Sequence, residues 1–235
     1  MFKNILIFVF VFYTCVNGYC QFSTGVISYK TSVESNKRKS ENLKIADLIE
    51  KIEKKSNDLN FILKFSDDNK TSFCPEEKLK TDTNEEDELT KKLALLKISP
   101  YIYFNDFTNL ERILVATDGT LIKKEIIKSN WELINETKMI DKFLCFKAIS
   151  TKTIINRNGE EKDLKIIAWY APSIPVPFGP MDYFGLPGLI LEIQERNFTL
   201  VASSIFFSEK EIKIDFPKGK AITQEEYERK ILSGN

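Results

Sequence analysis

Between residues 101 and 207 the sequence is a succession of short apolar runs separated by turn residues, and this pattern constrains the fold more than any other feature. Short strands at such regular spacing pair with their sequence neighbours, so the sequence predicts an antiparallel sheet that is curved or barrel-like. The runs are YIYFNDF, RILVATDGTLIKKEII, WELINET, KFLCFKAISTKTII, DLKIIAWY and LILEIQERNFTLVASSIFF. Dipeptides that suit tight turns occur within and between them: Asp118-Gly119, Asn158-Gly159 and Arg196-Asn197.

The residues before this meander predict strand, helix and strand in turn. Phe22–Val33 and Leu59–Phe65 alternate apolar and polar side chains, which indicates half-buried strands. Between them, Ser40 is placed to cap a helix over residues 41–56, whose apolar stripe we expect to face the core. The stripe consists of Ile45, Leu48, Ile49 and Ile52.

Charged residues dominate the chain from residue 72 to residue 92. This composition predicts a surface excursion that ends in a short helix, with Leu89, Leu93 and Leu96 on one side. Near the C terminus, Thr223 and Glu226 have the spacing of a capping box, which predicts another short helix. The predicted fold is therefore mainly β, of the α+β class: a curved antiparallel sheet or half-barrel with an N-terminal helix and a short C-terminal helix.

Residues 1–20 have the composition of a signal peptide. An early lysine precedes an apolar run over residues 5–12, which is too short to cross a membrane, since about 20 apolar residues are needed. We expect cleavage after Cys20, in preference to Gly18, and no transmembrane segment beyond it. The mature chain, residues 21–235, is then predicted to be a single β-rich domain that works outside the cytoplasm.

Two cysteines remain after such a cleavage, Cys74 and Cys145. In an oxidising compartment a pair of cysteines is naturally interpreted as a disulfide, which would close a long loop and contribute about 4 kcal/mol of stability. Two buried free thiols are the alternative, because the sequence gives no distance between the two residues.

The chain contains no histidine, and this absence excludes several classes of enzyme. Ser-His-Asp and Cys-His catalysis need an imidazole, and so do His-ligated metal sites. Two cysteines without histidine also make a poor metal site, so we predict no catalytic residue, no metal and no cofactor. The 34 basic and 34 acidic residues cancel, which argues against nucleic acid as a partner.

Residues 171–193 concentrate prolines and glycines in front of an apolar run. Proline imposes an extended path and glycine permits positive φ, so two compatible interpretations arise. The segment is a rigid corner that delivers the strand Leu189–Ile193 into the sheet, or a preorganised rim around a binding groove. The aromatic residues that would line this rim are Trp169, Tyr170, Phe178, Tyr183 and Phe184.

The stretch AWYAPSIPVPFGPMDYFGLPGLILEI resembles the signature of the GLPGLI family of secreted bacterial proteins. TKMIDKFLCFKA, upstream, and the opening GVISYK resemble further parts of the family pattern, so the resemblance extends over most of the mature chain. The residues of the structural motif are Pro175, Gly179, Pro180, Gly185, Leu186, Pro187, Gly188, Leu189 and Ile190.

The resemblance implies an exported protein of Gram-negative bacteria, secreted or periplasmic, in a family without an established biochemical activity. It also implies an arrangement similar to lipoprotein-carrier folds, in which a curved half-barrel holds an acyl chain. We therefore expect a non-enzymatic protein of the cell envelope that binds a lipid, another apolar ligand or an outer-membrane protein in a β-sheet groove.

Two other functions stay open. In the first, the chain is an accessory or structural subunit of an outer-membrane transporter assembly and co-purifies with a membrane protein. In the second, it is an enzyme that uses two carboxylates, of which Asp182 and Glu192 are nearest to the Pro/Gly segment. No spacing supports the enzyme, and we expect Glu192 on the polar face of its strand.

Overall fold

Eleven antiparallel strands form one large open sheet in the computed structural model, which describes residues 24–34, 42–77, 85–155 and 159–233. The strands are β1 (Thr24–Val33), β2 (Asn60–Phe65), β3 (Lys70–Pro75), β4 (Tyr101–Asp106), β5 (Glu111–Ala116), β6 (Leu121–Glu125), β7 (Glu132–Ile140), β8 (Phe143–Ile155), β9 (Glu161–Ala171), β10 (Leu189–Glu195) and β11 (Phe198–Ser208). The helices in these ranges are α1 (Leu43–Asn57), α2 (Glu85–Ile98) and α3 (Gln224–Ser233). The prediction of a mainly β chain with an antiparallel sheet is confirmed.

The strand order is β6-β5-β4-β3-β2-β1-β11-β10-β9-β8-β7, so two meanders meet where the first strand pairs with the last. This β1–β11 seam extends from Thr24 opposite Ser208 to Val33 opposite Phe198. All other pairings within the sheet join strands that follow each other in the sequence. Strand pairing is therefore between sequence neighbours in each half of the sheet, and it joins distant parts of the sequence only at the central β1–β11 pair.

The two edge strands, β6 and β7, are consecutive in the sequence and are joined by residues 126–131. In a flat sheet, the ten strand spacings between these edges would separate them by about 48 Å. The chain from residue 125 to residue 132 spans at most about 25 Å even when fully extended. The sheet must therefore curl into an open bowl, and residues 126–131, the edge connection, cross its open side.

Aromatic side chains fill the inner face of this bowl. Tyr29, Phe61, Phe65 and Phe73 are fully buried, and the rings of Phe61 and Phe73 stack with their centroids 5.2 Å apart. Alternate residues of a strand point to the same face, so Phe61 and Phe65 share the inner face of β2. Burial of each phenylalanine ring contributes about 2 kcal/mol of stability.

The apolar stripe of α1 contacts the core at one of its four positions. Ile52 packs against the buried cluster, whereas Ile45, Leu48 and Ile49 are exposed. The prediction of a core-facing stripe is therefore wrong for these three residues. The helix lies mainly beside α2 rather than on the sheet, and ion pairs between charged side chains join the two helices.

The segment that the sequence predicts as a surface excursion begins with strand β3. This strand pairs with β2 and β4 and buries Phe73. The predicted helix is present as α2, and Leu89 and Leu96 on its leucine-bearing side are exposed. The helix contacts the core through another set of residues instead. Its buried residues are Thr90, Ala94 and Ile98.

Helix caps decide where the helices begin. The side chain of Asn42 accepts hydrogen bonds from two backbone N–H groups in the first turn of α1. The predicted cap, Ser40, lies outside the described residues. At α3 the capping box is confirmed, because the Glu226 N–H donates to Thr223 Oγ1 at 3.2 Å and the Thr223 N–H donates to the Glu226 carboxylate at 2.8 Å.

Cys74 and Cys145 are both free thiols, so the disulfide alternative is wrong. Cys74 lies in β3 and Cys145 in β8, six strand positions apart in the sheet. A disulfide requires Cα atoms within about 7 Å of each other, and β3 and β8 are not neighbours in the sheet. Burial raises the pKa of the Cys145 thiol to about 11, which keeps it protonated at neutral pH.

No helix within the described ranges is long and apolar enough to cross a membrane. The predicted signal peptide, residues 1–20, lies outside those ranges. The strand predicted over Phe22–Val33 is present as β1 from Thr24 to Val33, and its first two residues lie outside the described ranges.

Candidate functional site

Residues 172–188, between β9 and β10, form a Pro/Gly plug that folds onto the inner face of the bowl. The ring centroid of Phe178 lies 5.6 Å from that of Phe65 in β2 and 5.1 Å from that of Phe107, which follows β4. The plug therefore occupies space that an empty half-barrel would leave open. Its buried side chains include Ile174, Phe178, Met181, Tyr183 and Leu186.

Backbone hydrogen bonds hold the plug in shape and attach it to the sheet. The Gly185 N–H donates to the Pro177 carbonyl at 2.8 Å. The Ile190 N–H of β10 donates to the Phe178 carbonyl at 2.9 Å. Proline has no N–H, so a proline-rich path leaves fewer donors that must find a partner when it is buried.

The GLPGLI hexapeptide leads the plug into β10. Gly188 lies so close to the end of β9 that a Cβ atom would stand 2.3 Å from the Ala171 carbonyl oxygen. Leu189 and Ile190 then begin β10 as fully buried residues. Gly179 lies against Ile190, where a Cβ atom would stand 2.7 Å from the end of that side chain.

The five aromatic residues predicted to line a rim do not share one surface. Trp169 and Tyr170 are neighbours in β9, so their side chains point to opposite faces of the sheet. Phe178 and Tyr183 are buried within the plug, and Phe184 is half-buried. The plug brings these last three together and leaves Trp169 on the outer face. Ligand binding by the five residues stays a prediction.

The two carboxylates nearest to the plug lie on opposite faces of the sheet. Glu192 is 6% exposed on the outer face, where the Lys138 Nζ is 2.6 Å from its carboxylate and 4.4 Å from the Trp169 ring centroid. Asp182 lies on the inner side, next to Arg112. The two side chains therefore do not form a facing pair.

A cleft of about 300 Å³ remains open between the plug and the edge connection. Strands β5 and β6 form one wall, strands β8 and β9 form the opposite wall, and the edge connection crosses between them. Asp182 and Tyr183 of the plug also line it. The charged residues that line the cleft are Arg112, Lys124, Lys128, Lys152, Glu125 and Asp182.

Arg112 is the most deeply buried cation of this cleft, with a side chain that is 4% exposed. Its Nε donates to Asn105 Oδ1 at 2.6 Å, and Asn105 Nδ2 in turn donates to Thr71 Oγ1 at 2.9 Å. Its Nη1 stands 3.8 Å from the Asp182 carboxylate, which is a loose ion pair. Its Nη2 is buried and has no hydrogen-bond partner among the described residues.

Burial of Arg112 disfavours the charged form of its guanidinium, but the group remains ionised. Burial lowers the pKa of the guanidinium, and the nearby Asp182 carboxylate partly offsets this effect. An arginine pKa starts so high that the group remains a cation at all physiological pH values. Burial also raises the pKa of Tyr103 and of Tyr183, so both remain neutral phenols.

Sequence reasoning did not single out Arg112, although the signal was present. Arg112, Leu114 and Ala116 occupy alternate positions of β5, and all three are buried. A charged residue in phase with the buried row of a strand must enter the interior. Period-two alternation therefore identifies Arg112 as an inward-facing cation.

A second concavity, of about 420 Å³, is apolar and lies between α2 and strands β4 and β5. Leu96, one of its lining residues, is exposed. The other apolar lining residues are Pro75, Leu95, Pro100, Tyr101, Ile102, Val115 and Ala116. This apolar groove is larger than the cleft at Arg112, and its charged lining residues are limited to Lys92 and Asp118.

No group of three or more Cys, Asp or Glu side chains in the described part of the chain is arranged to hold a metal ion. The free thiols are far apart, and Asp182 and Glu192 are separated by the sheet.

A family model described as "Protein of unknown function (Porph_ging)" matches residues 155–192. The matched stretch comprises β9, the plug and the first residues of β10. The similarity therefore concentrates on the segment that fills the bowl. No curated protein sequence matches the chain significantly.

Two crystal structures of PNGF-II, in space groups C2 and P21, are similar to this chain. Each has a TM-score of 0.52 and 18% sequence identity, and the similarity covers 89% of this chain. It covers 32% and 33% of the PNGF-II chain, so this chain spans about one third of that protein. At this identity the likeness concerns the fold alone.

Proposed function

We propose that the chain is an exported GLPGLI-type protein of the Gram-negative cell envelope that binds an apolar ligand and catalyses no reaction. The composition of residues 1–20 supports export, and the residues of the plug support the family. The absence of histidine argues against the commonest forms of catalysis. The resemblance to lipoprotein-carrier folds favours an acyl chain as the class of ligand, but its place is not the interior of the bowl, where Phe178 of the plug packs against Phe65.

The apolar groove beside α2 carries this proposal. The plug occupies the interior of the bowl, so a ligand of the lipoprotein-carrier type would find that space filled. The groove offers about 420 Å³, which lies within the size range of small-molecule sites, and its lining is predominantly apolar. Leu96 at the groove is exposed and would gain burial when an apolar ligand binds.

Binding of the uncharged fluorescent probe N-phenyl-1-naphthylamine tests the proposal. We expect saturable fluorescence enhancement with the purified protein and at least about tenfold weaker binding by Leu96→Asp, because a carboxylate in the groove must be desolvated. Leu89→Asp is the matched control: Leu89 is an exposed leucine of the same helix that does not line the groove. Equal affinities of the two variants, or no saturable binding by the unaltered protein, would contradict the proposal.

The exposed stripe of α1 favours a second candidate, an accessory subunit of an outer-membrane transporter assembly. Leu43, Ile45, Leu48 and Ile49 are exposed in succession on this helix, and contiguous apolar surface is typical of protein interfaces. This candidate predicts that a membrane protein co-purifies with the chain from envelope fractions, and that Ile45→Asp abolishes co-purification without affecting probe binding. Retention of the partner by that variant would count against it.

A further inference from the structure

We propose that the cleft at Arg112 is a binding site for an oxyanion, carried by a ligand as a carboxylate or phosphate group. This inference concerns a different surface from the apolar groove and does not depend on the function proposed for that groove.

The first observation is the incomplete pairing of Arg112. Its guanidinium is nearly inaccessible to solvent, its Nη2 lacks a partner among the described residues, and its ion pair with Asp182 measures 3.8 Å. A buried N–H without a partner costs about 1–3 kcal/mol, and more for a charged group. Such a group in a folded protein calls for an explanation, and an anion that accepts its hydrogen bonds is one that suits a charged donor.

The second observation is that the guanidinium is held in place before any ligand arrives. The chain of hydrogen bonds from Arg112 through Asn105 to Thr71 joins β5, β4 and β3 on the inner face. A guanidinium presents its N–H groups as a planar fork, which matches the oxygens of carboxylate and phosphate groups. Fixing the fork in advance reduces the entropy cost of binding.

The third observation is the charge of the cleft. Four basic side chains line it against two acidic ones, so the cleft carries an excess of positive charge in a chain whose net charge is zero. Lys124 and Lys128 have no carboxylate within 4 Å in the described ranges. The Lys152 Nζ is 3.8 Å from the Asp182 carboxylate, which also faces Arg112. A concave surface with low-dielectric walls concentrates this field and attracts anions.

Neutral hydrogen-bond donors complete the site. Ser129 and Asn130 of the edge connection and Ser150 and Thr151 of β8 line the same cleft. Such groups orient the remaining oxygens of an anion once Arg112 holds the first two. The volume of about 300 Å³ accommodates one anionic group together with a small part of its carrier.

Nuclear magnetic resonance of the Arg112 Nε–H group tests the site directly, with the resonance assigned by its loss in Arg112→Lys. Inorganic phosphate and acetate are titrated separately, each against chloride at equal ionic strength. We expect a saturable shift with at least one of the two anions. The anion that saturates at the lower concentration identifies the group the site prefers.

Variants on exposed residues keep the test independent of folding. Lys124→Gln combined with Lys128→Gln should weaken binding by about three- to tenfold, because two nearby charges are lost. Lys123→Gln is the matched control, since Lys123 is the neighbouring lysine on the outer side of β6. Asp182→Asn should tighten binding several-fold, because it removes the carboxylate that competes for Arg112. No saturable shift with either anion, or equal weakening in the Lys123 control and the double variant, would overturn the proposal.

Discussion

Gly188→Ala is expected to lower the free energy of unfolding by about 3 kcal/mol or more. The new Cβ atom would stand 2.3 Å from the Ala171 carbonyl oxygen and 2.6 Å from its carbonyl carbon. Both are backbone atoms of β9, and Ala171 pairs with Leu189 in the sheet, so neither side can yield without breaking the β9–β10 ladder. Urea denaturation followed by circular dichroism measures the loss.

Gly119→Ala is the control for this experiment. Gly119 also has a positive φ, of 82°, but a Cβ atom there has no neighbour within 4 Å. Its replacement should cost only the backbone strain of an alanine at positive φ, about 1 kcal/mol. Equal unfolding midpoints for the two variants would show that the close approach of Gly188 to β9 has no energetic importance.

Phe178→Ala is expected to destabilise the protein by about 3–5 kcal/mol, the range typical of a phenylalanine truncated in a core. Phe178 lies between Phe65 and Phe107, so its removal leaves a cavity where the plug meets the sheet. The same urea denaturation experiment gives the value. A large loss identifies the plug as part of the hydrophobic core.

Phe206→Ala serves as the comparison, because Phe206 is 63% exposed and should lose less than about 1 kcal/mol. A loss below 1 kcal/mol for Phe178→Ala as well would contradict a core role for the plug. It would instead favour the interpretation of the aromatic residues as a rim that gains its contacts from a ligand.

The strands from β4 onward were predictable because their alternation and their turns agree. Arg196, at the predicted turn between β10 and β11, adopts a positive φ of 52°, and Gly119 does so between β5 and β6. Strand β3 was not predictable in the same way, because the proline and charged residues after Cys74 resemble a loop. Its pairing with β2 and β4 outweighs that local composition.

For the helices, the sequence predicts the elements but not their packing. Periodicity correctly predicts that α1 and α2 exist, but not which side each one buries. In α2 the buried side carries Ala94 rather than Leu89 or Leu96. Which side is buried depends on tertiary contacts, here the packing of α2 beside α1, that a helical pattern does not contain.

The Pro/Gly motif predicts a rigid segment but not the residues that lie next to it in the folded protein. The proline and glycine content of residues 171–193 predicts a rigid segment, which the backbone hydrogen bonds of the plug support. The cleft beside it depends on Arg112 and Asp182, which are 70 positions apart in the chain. Only the curl of the sheet, imposed by the short edge connection, brings their side chains together.

The β1–β11 seam has a consequence for how the protein folds. Pairings within β2–β6 and within β7–β11 join strands that are consecutive in the sequence, and the longest loop that they close is residues 76–100 between β3 and β4. The seam joins residues as far apart as Thr24 and Ser208, so it requires nearly the whole described chain to be present. Residues so far apart in the sequence lose chain entropy when they are brought together, and this loss comes before their contacts form. We therefore expect the two halves to organise first and the centre of the sheet to close last, which makes this seam the slow step of folding.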